Sequence, residues 1–126
     1  MTFEDLFQAF KQKVPGVTAL FILGPNGELV EHAANDSRFA LEAFAVEYAM
    51  LLRIARRASE DAGTGEVAEH IVISDHALTL ARRLPLDHFA IAVSDSHEQL
   101  GRLRYELRCA ERGLIKVLAS RAKAMP

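Results

Sequence analysis

The sequence predicts an α+β domain in which a five-stranded sheet lies between two layers of helix. Two observations carry this. Val17 to Leu23 (VTALFIL) and Phe89 to Val93 (FAIAV) are apolar at nearly every position instead of alternating, and a strand apolar on both faces is one covered on both faces. Three further stretches repeat their apolar residues at helical spacing and supply the covering layers.

Taken in order, Thr2 with Asp5 three positions on forms the pattern of a capping box, and Phe3, Leu6, Phe7 and Phe10 make an apolar stripe. A first helix over Phe3 to Lys13 follows, and Pro15-Gly16 ends it. The next punctuation is Gly24-Pro25-Asn26-Gly27. A phosphate-binding loop needs a lysine or a glycine array with a helix immediately behind it, and neither is present. Pro25 presets φ for a turn and Asn26-Gly27 tolerate the positive φ of a tight bend, so the stretch joins Val17 to Leu23 to a second strand over Glu28 to His32. That strand and a third over Glu66 to Asp75 hold charged residues within them, as edge strands do. His76 to Leu84 and Phe89 to Val93 complete the five. The last helix starts at Ser96, capped by its hydroxyl with Gln99 answering, and buries Leu100, Leu103, Leu107, Ala110, Leu114, Val117 and Leu118.

The long helix predicted over Ser37 to Ala62 and closed by Gly63-Thr64-Gly65 has an unusual composition. Between Phe39 and Ala58 its only charges are Glu42, Glu47, Arg53, Arg56 and Arg57. A surface helix normally shows one apolar stripe a little over 100° wide, whereas this one is apolar most of the way round. One side is therefore expected on its own sheet and the other on another molecule. Leaving Phe44, Tyr48, Leu51 or Leu52 in water would forfeit about 1.5–3 kcal/mol apiece. With Val67, Ile71 and Ile73 of the third strand, whose edge no proline blunts, these residues form the candidate dimer interface.

The 126 residues make one domain, 1–126, large enough to hold its own core, with order expected to fade only in the last few residues. The acidic start Met1-Thr2-Phe3-Glu4-Asp5 and the absence of a long apolar run predict neither a signal peptide nor a membrane span, and so a cytoplasmic protein. A lone cysteine, Cys109, excludes an intrachain disulfide and a cysteine zinc site. Charge is uneven: residues 1–100 hold 8 basic and 15 acidic side chains, residues 101–126 hold 7 and 2. The last helix is thus a basic patch on an acidic body. Such a patch is most often a solvated helix face, and it can also meet an acidic protein or, weakly, an anionic membrane surface; nucleic acid fits poorly, since aromatics are not interleaved and the body repels phosphate.

Catalytic patterns fail one by one. Asp75-His76 and Asp87-His88 lie near Ser74 and Ser94, but neighbours on a strand point to opposite faces and no GxSxG elbow exists. His32, His70, His76, His88 and His97 lack metal-ligand spacing on a helix. Glu42 and Glu47 diverge around the helix, a poor acid/base pair. No enzyme, cofactor or metal site is predicted.

The order helix, hairpin, long helix, three strands, helix resembles the roadblock/dynein light chain superfamily. The similarity runs from Pro15-Gly16-Val17 through Phe21-Ile22-Leu23 and Asn26-Gly27-Glu28-Leu29-Val30 and the alanine-rich long helix. It continues in Ala77-Leu78-Thr79-Leu80, in Phe89-Ala90-Ile91-Ala92-Val93, and in Leu100-Gly101-Arg102-Leu103-Arg104-Tyr105-Glu106-Leu107. The resemblance implies a three-layer α/β/α fold with an antiparallel sheet in strand order 2-1-5-4-3, first and last helices on one face and the long helix on the other. It also implies dimers in which the third strands pair across a two-fold beside the long helices. In the bacterial branch such dimers resemble regulators of Ras-like small GTPases, including activators of a polarity GTPase in gliding motility, while others are scaffolds. The expected function is a non-catalytic homodimeric module that binds and modulates a Ras-like GTPase, activating or scaffolding it. Arg53, Arg56 and Arg57 are the candidates to face that partner, although a regular helix is a stiff place for an arginine finger. The alternative is a small-ligand-sensing or general scaffold domain of similar fold, against which stands the shortage of polar groups in the buried strands.

Overall fold

The structure, a computed structural model, describes residues 1–35 and 40–124. Helix α1 (Phe3–Lys13) starts where its capping box sets it: the Asp5 N–H donates to Thr2 Oγ1 at 3.1 Å and the Thr2 N–H donates to Asp5 Oδ2 at 3.0 Å. Two otherwise orphaned donors are satisfied, a device worth about 1 kcal/mol. Strands β1 (Val17–Leu23) and β2 (Leu29–Ala34) form the hairpin expected around Gly24 to Gly27. Gly27 sits at φ 80° and the Gly24 N–H donates to the Glu28 carbonyl at 2.8 Å. Helix α2 (Leu41–Asp61), strands β3 (Glu69–Ile73), β4 (Leu78–Arg83) and β5 (Phe89–Ser94), and helix α3 (Leu100–Ala124) follow. All pairings are antiparallel, in the order β2-β1-β5-β4-β3 that the resemblance implied.

Several boundaries differ from the sequence expectation: β2 runs two residues further than Glu28 to His32, and β4 is shorter than His76 to Leu84. Strand β3 is five residues long where ten were expected: Glu66 to Ala68 stay outside it, and at its other end the Ser74 N–H donates to the Ala77 carbonyl at 2.8 Å and turns the chain directly after Ile73. The described part of α2 begins at Leu41; Ser37 and Phe39, with which the long helix was expected to open, lie outside the described residues. Ser96 does cap, accepting from the Glu98 N–H at 3.3 Å, but His97–Gln99 form a 3-10 turn and the buried Gln99 Oε1 has no hydrogen-bond partner among the described residues. The tighter turn brings the wrong N–H to the serine, so the capping box is only half made.

Period-two alternation divides the sheet into two cores. On one face Leu20, Ile22, Leu78, Leu80, Ala90 and Ala92 pack against Phe3, Phe7 and Phe10 of α1 and Leu103, Leu107 and Leu114 of α3. On the other, Ala19, Phe21, Leu23, Phe89, Ile91 and Val93 pack against Leu41, Ala45, Tyr48 and Leu52 of α2. Strands β1 and β5, the two that read as apolar on both sides, are paired neighbours with Leu20 opposite Ala92 and Phe21 opposite Ile91. Two large apolar side chains buried on opposite sides of one strand cannot be served by a single layer, and this is what holds α1, α3 and α2 on opposite faces.

Candidate interaction site

The phase of α2 decides what it offers. Leu41, Ala45, Tyr48 and Leu52 face the sheet, and directly opposite them Val46, Met50 and Ile54, spaced four apart, are 62%, 61% and 65% exposed. Of the residues expected on the partner side, Leu51 is exposed at the flank, but Tyr48 and Leu52 are buried in the protomer's own core at 4% each. Phe44 is half-buried, stacked on Tyr48 with ring centroids 5.6 Å apart and set edge-on to Phe21 at 6.1 Å. The outward face of α2 is thus carried by Val46, Met50 and Ile54, which were not among the expected residues, while Tyr48 and Leu52 are committed to the protomer's own core. A helix apolar nearly all round carries no phase in its pattern; contact with Phe21, Ile91 and the β3 edge sets it.

Strand β3 pairs with β4 on one side, and no strand lies along its other side among the described residues. Ile71 and Ile73 sit opposite Leu80 and Leu78, so they project on the face that carries α1 and α3, whereas His70 and Val72 project towards α2. Both isoleucines are exposed. Val67 precedes the strand and lines a cleft of about 250 Å³ with Arg53 and Arg57. The open edge is held in place from both faces. On the α2 side Tyr48 Oη and His70 Nδ1 are 2.8 Å apart; burial pushes the tyrosine pKa up and the histidine pKa down, so both are kept neutral. On the other side Glu69 takes Arg104 Nη2 at 2.7 Å and Arg82 Nη1 at 3.3 Å.

The three arginines of α2 are not equivalent. Arg53 and Arg57 are exposed, but Arg56 donates to Asp87 Oδ1 at 3.1 Å and its guanidinium lies 5.4 Å from the centroid of Phe89. Asp87 and Leu86 form the β4–β5 turn, both at φ 59°. Of the histidines considered above, His88 bonds through Nδ1 to the Leu86 carbonyl at 3.0 Å and His70 to Tyr48. No three His, Cys, Asp or Glu side chains among the described residues come close enough to hold a metal ion, and no described helix is long and apolar enough to cross a membrane.

An antiparallel 2-1-5-4-3 sheet with one long helix on one face, two helices on the other and an open third strand defines a roadblock-type domain. The chain is similar to Myxococcus xanthus MglB, with a TM-score of 0.79 and 15% identity over 95% of this chain and 99% of that one. The Roadblock/LC7 domain from Streptomyces avermitilis matches at a TM-score of 0.70 and 18% identity, covering 91% of this chain and 99% of that one. MglC from Myxococcus xanthus is 31% identical over 95% of this chain and 99% of that chain, with a TM-score of 0.62. No family model matches the chain, and no curated protein matches it either. The chain belongs to the roadblock/dynein light chain superfamily.

Proposed function

We propose that this chain is a non-catalytic, cytoplasmic module that forms a homodimer through β3 and α2 and, as a dimer, binds and modulates a Ras-like small GTPase. The observation that carries this reading is the meeting of two unsatisfied features at one place. Val46, Met50 and Ile54 stand out from α2, and the neighbouring edge strand offers a row of backbone donors and acceptors. A second copy related by a two-fold answers both, since β3 pairs with β3 while α2 packs on α2. Burying three such side chains is worth about 1.5–3 kcal/mol each, which makes the exposed ridge a poor surface for a free monomer.

Arg53, Arg57, Glu60 and Glu66 rim the same face and supply a polar border suited to a partner that approaches the dimer. Arg56, fixed between Asp87 and Phe89, is not free to enter another protein's active site. Modulation then works by orienting the GTPase's own switch residues. The test has two stages. Light scattering on the purified chain should give the mass of a dimer at micromolar concentration. Ras-like GTPases of the source organism, loaded with GDP or with a non-hydrolysable GTP analogue, should then bind with an affinity that depends on the nucleotide. A monomer in the first stage, or no GTPase binding in the second, overturns the proposal.

A further inference from the structure

A second surface lies at the far end of α3, beside the two tight turns of the sheet. The C-terminal half of α3, the β1–β2 turn and the β4–β5 turn enclose a groove of about 450 Å³. Its walls are mainly apolar, formed by Leu29, Val30, Pro85, Leu86, Ile115 and Leu118, with Glu28, His88 and Arg121 also lining it. Leu86 stands at the rim 84% exposed, at φ 59°, a left-handed conformation that a β-carbon disfavours. The turn is held there from both sides, by the bond from Asp87 to Arg56 and by that from His88 to the Leu86 carbonyl. A strained backbone that presents a leucine to solvent is the kind of local cost that persists where a surface has a use.

The groove continues onto a basic ridge. Three of the seven cations of α3 have partners: Arg102 bonds to the Lys13 carbonyl, Arg104 to Glu69, and Arg121 lies 3.9 Å from Glu31. The side chains of Arg108, Arg112 and Lys116 make no ion pair or hydrogen bond among the described residues. Ile115 of the groove wall is three positions from Arg112, and Ala119, which also lines the groove, is three from Lys116. Residues so spaced are neighbours on a helix. From Arg108 to the far end of the groove at Ala122 the surface therefore runs for about 20 Å at 1.5 Å per residue.

We propose that this groove and ridge together bind an acidic amphipathic segment of a partner protein, its apolar side chains in the groove and its carboxylates on Arg108, Arg112 and Lys116. The charge complement demands an acidic occupant, and the length demands a chain, since a small molecule filling the groove would leave the ridge uncovered. A bilayer is flat and cannot reach the floor of a concave groove, so the lipid surface is the poorer fit. The proposal does not rest on the GTPase reading, because the groove is built against α3 on one face of the sheet, whereas Val46, Met50 and Ile54 stand out from α2 on the other.

The experiment is fluorescence anisotropy of a labelled synthetic peptide with leucines at helical spacing and glutamate elsewhere, titrated with the full chain. A peptide of the same composition in shuffled order and vesicles of phosphatidylglycerol in phosphatidylcholine are run beside it. Saturable binding is expected, weakened about tenfold or more by the double substitution Arg112→Glu, Lys116→Glu and about fivefold by Leu86→Asn, which keeps a residue tolerant of positive φ. The shuffled peptide should bind at least about tenfold more weakly. Light scattering checks that neither variant alters the oligomer. Equal binding of the shuffled peptide, or no loss in either variant, overturns the proposal. So does binding to the anionic vesicles in the absence of peptide binding, which would assign the ridge to a membrane.

Discussion

The phenol of Tyr48 and the imidazole of His70 meet at 2.8 Å, Oη to Nδ1, and so tie the buried face of α2 to the edge strand β3. Tyr48→Phe removes the bond while keeping the packing against Phe44. It should lower stability by about 1 kcal/mol, the net worth of one such hydrogen bond, read as a shift in urea midpoint with unchanged slope.

The same pair makes stability depend on pH. Burial holds the His70 pKa below the ordinary histidine value of about 6.5, so the unfolded chain binds that proton more readily than the folded one. Its stabilisation is fully present above pH 6.5 and is lost as pH falls through the lower folded value. Urea unfolding at pH 7.5 and pH 5 should show the loss, and His70→Gln should make the difference between the two smaller. An equal pH dependence in the variant would place the titration elsewhere.

Charge on α2 should act differently on its two faces. Met50→Glu and Ile54→Glu put a charge on the exposed ridge, and a dimer built there should dissociate with the protomer's circular dichroism retained, or aggregate if the monomer is unstable alone. Leu52→Glu places the charge in the protomer's own core at 4% exposure and should unfold it at any concentration, a loss of several kcal/mol. Ile71→Glu should follow the first pattern, since symmetry sets like charges near one another across paired strands. Light scattering beside a thermal melt separates the outcomes.

Replacing Arg53, Arg56 or Arg57 singly by Ala should leave any stimulation of a GTPase within about tenfold, short of the ~10³-fold loss that follows removal of an arginine finger. Single-turnover GTP hydrolysis measures this. A finger-sized loss at exposed Arg53 or Arg57 would show that the helix reaches the nucleotide directly.

Two turns with positive φ should respond in opposite directions. Gly27→Ala puts a β-carbon on a backbone at φ 80° and 3.1 Å from the Ala49 Cβ, and should cost about 1–2 kcal/mol. Leu86→Gly relieves the same kind of strain at φ 59° and should raise the melting temperature in a thermal melt.

Much of the architecture could be read directly from residue order, because its determinants are local. The Thr2/Asp5 box, the Gly24 to Gly27 turn and the unbroken apolar runs of β1 and β5 each act within a few residues. What escaped was decided at a distance. Whether Tyr48 or Met50 faces inward depends on where Phe21 and His70 sit, and no count along α2 reveals that. Where β3 ends depends on one backbone bond, Ser74 to Ala77, in a stretch whose composition suits a longer strand. The groove beside Leu86 joins segments from three parts of the chain, and its strained leucine has no signature in sequence.

The sheet has two outer strands, and only one of them invites company. If two copies join through β3, that edge is used up in both, and the rims left are two copies of β2. That strand carries Glu31, facing Arg121 from the end of α3, and exposed His32. Its register slips opposite Ile22 and Leu23. Charge and an irregular ladder make a poor template for a further strand. Growth by edge addition would therefore stop at two subunits, so that the open strand that makes self-association favourable does not make the protein a filament former.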